Sequence, residues 1–146
     1  MKCLVQRVAR ARVEVAGEIV GQIDSGLLVF VGVVAGDTEA PCDWLADKLL
    51  NLRIFPDADK PMNRSVTDVG GELLVVSQFT LAADTSRGRR PSFGTAAEPA
   101  EAQRLYELLV GRLRERGAKV ATGRFGADMQ VELINDGPVT FLLERD

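Results

Sequence analysis

The stretch Ser77-Gln78-Phe79-Thr80 sets two hydroxyls and a carboxamide at the end of an apolar run, ELLVV, and so concentrates reactive atoms at one point of the chain. Either hydroxyl can attack a carbonyl if a neighbouring base takes its proton. The usual base is missing. The chain has no histidine, which removes the commonest metal ligand and any Ser-His-Asp arrangement with it. The nearest carboxylates in sequence, Glu72 and Asp84, have no spacing that sets them beside Ser77 or Thr80. Two roles without a nucleophile stay open. The hydroxyls can satisfy backbone groups at a strand end, or main-chain N–H groups released from the strand ladder can face a ligand carbonyl as an oxyanion hole.

A second cluster is Arg87 with GRRPSF, which holds Arg89 and Arg90 beside a rigid proline and Phe93. Such a mixture can grip a sugar-phosphate backbone or stack a base. It can equally be loop charge that serves solubility. A third candidate is NDGPVT, Asn135 to Thr140, between the apolar runs DMQVELI and VTFLLE. Asn, Asp and Gly are ordinary turn formers, so a plain hairpin with Pro138 opening the next strand is the first reading. The alternative is a cis Gly137-Pro138 peptide whose carbonyl oxygens form a rigid pair of acceptors, able to test the substituents at a substrate's α-carbon.

These residues must be positioned by a small scaffold. At 146 residues, 46% of them hydrophobic, the chain fits a single domain, 1–146, with a core that needs no metal or disulfide. Cys3 and Cys42 have no metal-knuckle or redox spacing and read as reduced core residues. No apolar run approaches the roughly 18–20 residues of a bilayer span. The opening MKCLVQRVARARVEV alternates like a strand and is unlike a signal peptide, so no membrane partner and a cytoplasmic location are expected. A net charge of −3 argues against a general polyelectrolyte binder, and hence against DNA, although Arg7, Arg10 and Arg12 and the Arg87–Arg90 group are local positive patches.

Hydrophobic periodicity predicts extended segments at Val5–Val15 and Glu18–Ile23, joined by Ala16-Gly17, then a buried strand in the run Gly26–Gly36. Pro41, Trp44, Leu45, Lys48, Leu49 and Leu52 mark a first helix. A short strand at Arg53–Phe55, a surface loop, and a buried strand Glu72–Leu81 follow. Ala102, Leu105, Tyr106, Leu109 and Leu113 give a second helix closed by Gly117, and the remainder is extended again. The order implies an α/β fold of two packed, barrel-like sheets with helices on one side, in β/β/α layers.

Taken together, QRV (6–8), NLRIF (51–55), GGELLVVSQFTLAADT (70–85), RRPSF (89–93), FGADMQV (125–131) and NDGPVT (135–140) resemble D-aminoacyl-tRNA deacylases from end to end. The resemblance implies a homodimer that hydrolyses the ester of D-aminoacyl-tRNA and of mischarged glycyl-tRNA, with no cofactor and no metal. It implies that Gly137-Pro138 is cis and reaches into the neighbouring subunit's site to exclude L-amino acids, held by an arginine equivalent to Arg7. Ser77, Gln78, Phe79 and Thr80 then line the catalytic pocket, Met129 bounds the terminal adenosine, and Arg87, Arg89 and Arg90 contact the acceptor stem. Catalysis in that family is described as RNA-assisted, through the 2′-hydroxyl of the terminal adenosine. Ser77 sets the chain apart from a related animal branch that carries proline there. Arg12 and PMNRSV (61–66) depart from the family pattern outside both motifs. Against this stand a non-catalytic RNA-binding module and an esterase with Thr80 as nucleophile.

Overall fold

The chain opens with a hairpin. Strand β1 (Lys2–Val15) turns through Ala16 and Gly17, both at positive φ, into β2 (Glu18–Ile23). Strand β3 (Gly26–Gly32) pairs antiparallel with the first half of β1. Then follow α1 (Ala40–Asn51), β4 (Glu72–Ser77), α2 (Pro99–Glu115), β5 (Val120–Thr122) and β6 (Gln130–Glu144), in a computed structural model that describes residues 1–146. Prolines sit in the first turn of both helices, where a missing N–H costs nothing. Neither helix is long and apolar enough to cross a membrane.

Strands β3, β4 and β5 run parallel, so each connection between them must cross over, and α1 and α2 make those crossings. Strand β4 is buried on both faces. Leu73 and Val75 meet the helices in one core; Leu74 and Val76 point into another. That double burial is why ELLVV shows no alternation. The larger core packs Leu45 and Leu49 of α1 and Leu105, Leu109 and Leu113 of α2 on Val5, Leu27, Val29 and Val31. The smaller one, with Val8, Ala11, Val13, Ile23, Leu28, Leu74 and Val76, fills the inside of the curled sheet. Curling brings β2 against β5: a Cβ on Gly21 would lie 2.2 Å from the Thr122 carbonyl oxygen, so only glycine fits the seam. The layers are therefore β/β/α, and both β layers belong to one barrel-like, nearly closed sheet of six strands.

The C-terminal part corrects the hairpin reading of NDGPVT. DMQVELI and VTFLLE do not pair with each other; they are the two halves of β6, and both pair with β1. Pairing runs from Glu14↔Gln130 to Val8↔Asn135, breaks, and resumes from Gln6↔Thr140 to Lys2↔Glu144. The reason is the length of β1, whose other edge is shared by β2 and β3 and whose whole remaining edge accepts β6. Asp136, Gly137, Pro138 and Val139 fill the register break as a bulge. Asn135 closes it: its Oδ1 accepts from Val139 N at 2.8 Å, and its Nδ2 donates to Gln6 Oε1 at 3.0 Å and Thr140 Oγ1 at 3.1 Å. Turn-forming residues here bend a strand and do not reverse it.

Smaller differences have similar causes. The Arg53–Phe55 strand is reduced to one bridge, Phe55↔Arg64, and the strand ending in Leu81 stops at Ser77, where a 3-10 turn, Phe79–Ala82, begins. The Gly26–Gly36 run leaves the sheet at Gly32. Cys3 and Cys42 are buried and unbridged, and burial pushes their thiols up to about 12 and about 11.

Candidate functional site

Parallel strands leave a crevice beyond their carboxyl ends, and here the central strand ends on the polar stretch. The last rung of β4 is the Gln78 N–H, which donates to Val31 O at 2.7 Å. The chain then winds into the 3-10 turn. That turn can press on β3 because residue 32 is glycine: a Cβ there would lie 2.7 Å from Leu81 Cβ and 3.1 Å from Gln78 O. Beyond Gln78, the N–H groups of Phe79 and Thr80 have no hydrogen-bond partner in the chain. The first donors of any helical turn lack an intrahelical acceptor, so this is where the sequence exposes main-chain hydrogen-bond donors next to a cavity.

The cavity holds about 470 Å³. Val76, Ser77, Gln78 and Phe79 form one wall, Ala97, Pro99 and Ala102 at the start of α2 a second, and Phe125 to Met129 with Val131 a third. Small side chains on α2 make the room, and its apolar lining suits a ligand held by shape plus a few polar atoms. The third wall is fixed from behind. A Cβ on Gly123 would come within 2.7 Å of Met129 Sδ, and Arg124 N donates to the same sulfur at 3.4 Å. Tyr106 packs on Phe125 with ring centroids 6.1 Å apart and donates its hydroxyl to Val75 O at 2.7 Å. Burial pushes that phenol up to about 12, so it remains a neutral donor.

Of the residues singled out in the sequence, Ser77, Gln78, Phe79 and Met129 share this cavity. Thr80 is exposed outside its lining, and its Oγ1 accepts a 2.5 Å bond from Gln78 Nε2. An amide donor cannot take a proton from that hydroxyl. Gly137 and Pro138 lie apart, exposed on β6, and their peptide bond is cis. Arg7 holds this region to the body of the domain: Nε donates to Asp136 O at 2.8 Å and Nη1 to Ile54 O at 2.7 Å. The outer edge of β6 pairs with no strand, and Ile134 and Leu142 are exposed on it. Arg87, Arg89 and Arg90 project from a loop pinned at its neck by reciprocal bonds between Asp84 and Ser92, of 2.8 and 2.9 Å. Hydrogen bonds from Ser86 hold the Asp84 carboxyl below its usual range. Phe93, just past that neck, contacts Phe79 with ring centroids 5.0 Å apart.

Sequence reasoning missed the wall from Ala97 to Ala102 and most of Phe125 to Asp128. The small residues of TAAEPAEA, at a helix start, and the glycine at 126, which the structure places at positive φ, were the available signals.

The sequence and the architecture have counterparts. The family model described as D-Tyr-tRNA(Tyr) deacylase matches residues 4–144. A protein of Stutzerimonas stutzeri (strain A1501) named D-aminoacyl-tRNA deacylase is 63% identical over 144 residues, 99% of each chain. One of the same name from Pelobacter propionicus is 57% identical over 145 residues, covering 99% of this chain and all of that one. Among solved structures, a protein named c-Myc DNA Unwinding Element Binding Protein superposes with a TM-score of 0.94 at 40% identity, covering 100% of this chain and 99% of that one. Another, named as a probable eukaryotic D-amino acid tRNA deacylase, gives 0.84 at 18% identity over 97% of both chains, a likeness of fold alone. With a family model running nearly from end to end and relatives this similar over their full length, this chain belongs to the D-Tyr-tRNA(Tyr) deacylase family.

Proposed function

We propose that the cavity at the end of β4 is where this protein hydrolyses the ester of D-aminoacyl-tRNA, and of glycyl-tRNA, while sparing L-aminoacyl-tRNA. The observation that carries the reading is the junction of Ser77–Phe79 and Met129 in one cavity beside two unpartnered main-chain N–H groups, in a chain of this family. The Phe79 and Thr80 N–H groups receive the oxyanion, since Gln78 N–H is spent on the sheet. Met129 bounds the terminal adenosine, whose 2′-hydroxyl helps activate the attacking water, so the protein itself needs no histidine, metal or cofactor. Thr80 acts by position. Its exposed hydroxyl, occupied by Gln78, favours that role over a nucleophile's.

Chirality is tested by a second copy. In the homodimer, Gly137-Pro138 of one protomer enters the partner's cavity and leaves no space where an L side chain would lie. Glycine, with no side chain, passes. Selectivity then comes from a clash built into backbone, which is hard to relax. Arg7 keeps the bulge in place through Asp136 and Ile54, and the open edge of β6 offers surface for the partner. Arg87, Arg89 and Arg90 contact the acceptor stem. The whole chain, 1–146, works as one domain in the cytoplasm.

The test is deacylation of tRNA charged with D-tyrosine or L-tyrosine. Release of D-tyrosine alone is expected, and loss of that release when the terminal adenosine is 2′-deoxy. Binding without release indicates the RNA-binding alternative. Equal cleavage of both enantiomers refutes the chiral gate.

A further inference from the structure

Beyond the cavity lies a second hollow of about 510 Å³, between one face of α2 and the segment from Thr122 to Phe125. Phe125 lines both, so a single residue stands between the two spaces. The hollow is polar and carries two guanidinium groups, of Arg114 and Arg124. Neither has a carboxylate within salt-bridge distance, unlike Arg12, which faces another surface hollow but is already paired with Glu14 and Glu132 at 3.2 and 2.9 Å. Arg114 spends one bond on Val120 O, at 3.0 Å. Glu107 is the single acid in the lining, and Gln103 Nε2 donates to it at 3.0 Å.

An independent feature lies on the same helix face. Gly111 stands in the interior of α2, where glycine weakens a helix. Nothing inside the chain requires it there: its φ is not positive, and an added Cβ would meet no atom within 4 Å. The missing side chain leaves open space in the lining that the two arginines share.

We propose that this groove holds the sugar-phosphate backbone of the unpaired 3′ end of the tRNA, immediately before the terminal nucleotide. The inference rests on the function proposed above and adds the path of the strand. With the last nucleotide in the cavity, the preceding phosphates cross Phe125 and meet Arg124 and Arg114. Such contacts carry no sequence information and fit a 3′ end shared by all tRNAs.

The test compares kcat/KM for D-tyrosyl-tRNA with that for D-tyrosyl-adenosine, which ends before the groove. Arg124→Glu should lower the ratio about tenfold, and the salt dependence of KM for tRNA should become shallower by about 0.7 for each phosphate no longer neutralised. Gly111→Glu, whose Cβ meets no atom within 4 Å, should lower the ratio too, while Gly111→Lys raises it; melting temperatures verify that the variants fold. A ratio unmoved by charge at both positions overturns the groove. Failure of the unmodified protein to cleave either substrate would instead refute the function on which it rests.

Discussion

Gly32→Ala tests whether the 3-10 turn must sit where it does. The new Cβ would start 2.7 Å from Leu81 Cβ and 3.1 Å from Gln78 O. Carbon atoms rest about 3.5–4.0 Å apart, so turn and strand must separate by roughly 1 Å. Neither atom belongs to a flexible side-chain end, so the shift falls on backbone. Overpacking of this kind costs about 1–3 kcal/mol, which at a urea slope of about 2 kcal/mol/M lowers the midpoint by roughly 0.5–1.5 M. The displaced segment carries the Phe79 and Thr80 N–H groups, and a 1 Å misplacement of such groups costs on the order of 100-fold in rate. Single-turnover deacylation of D-tyrosyl-tRNA should therefore slow about 100-fold, with the loss in the rate constant and not in substrate binding. Adding Leu81→Gly removes the nearer contact and should recover part of the rate. A Gly32→Ala protein with the original rate and urea midpoint would refute the claim that close packing of this turn on β3 positions the donors.

Two further predictions follow from the hydroxyl on this turn and from the buried thiols and phenol. Thr80→Ala removes the partner of Gln78 Nε2 and leaves both main-chain donors, so activity should fall by no more than about tenfold; a loss of several orders of magnitude would point to a nucleophile. Alkali should loosen the fold. Cys3 and Cys42 ionise at about 12 and about 11 when folded, against roughly 8.5 unfolded, and Tyr106 at about 12 against roughly 10. Raised acids contribute stability that is whole below the unfolded value and is lost as pH climbs toward the folded one. The urea midpoint should decline from about pH 8.5 upward, and a midpoint constant from pH 8 to 11 would contradict the burial of these groups.

Much of the scaffold was legible because burial writes itself into residue order. The stripe from Ala102 to Leu113 marked α2, and ELLVV marked a strand covered on both faces. Boundaries were less visible. Nothing in SQFTL says that Gln78 makes the last sheet bond, because that depends on Val31, 47 residues away, and on the absence of a side chain at Gly32. The polar residues of the cavity stood out by type, whereas its apolar walls did not: Ala97, Ala102 and Phe125 look like any core positions until α2 and the segment after β5 converge on β4.

The bulge in β6 shows most clearly where local reading stops. Asn, Asp and Gly specify a departure from regular backbone, and a departure between two extended runs is compatible with either reversal or interruption. The choice belongs to β1. Its 14 residues need an antiparallel neighbour along a full edge, and β6 supplies 15 in one pass. A hairpin at the same place would pair the two runs with each other and leave half of that edge open. Continuous pairing removes the open edge, and the unmatched residues are pushed outward as a bulge that Asn135 and Arg7 tie down from both sides. Residues that would have ended a strand thus become a fixed protrusion on its surface. That position suits a group that acts on a neighbouring molecule better than one that acts within its own chain.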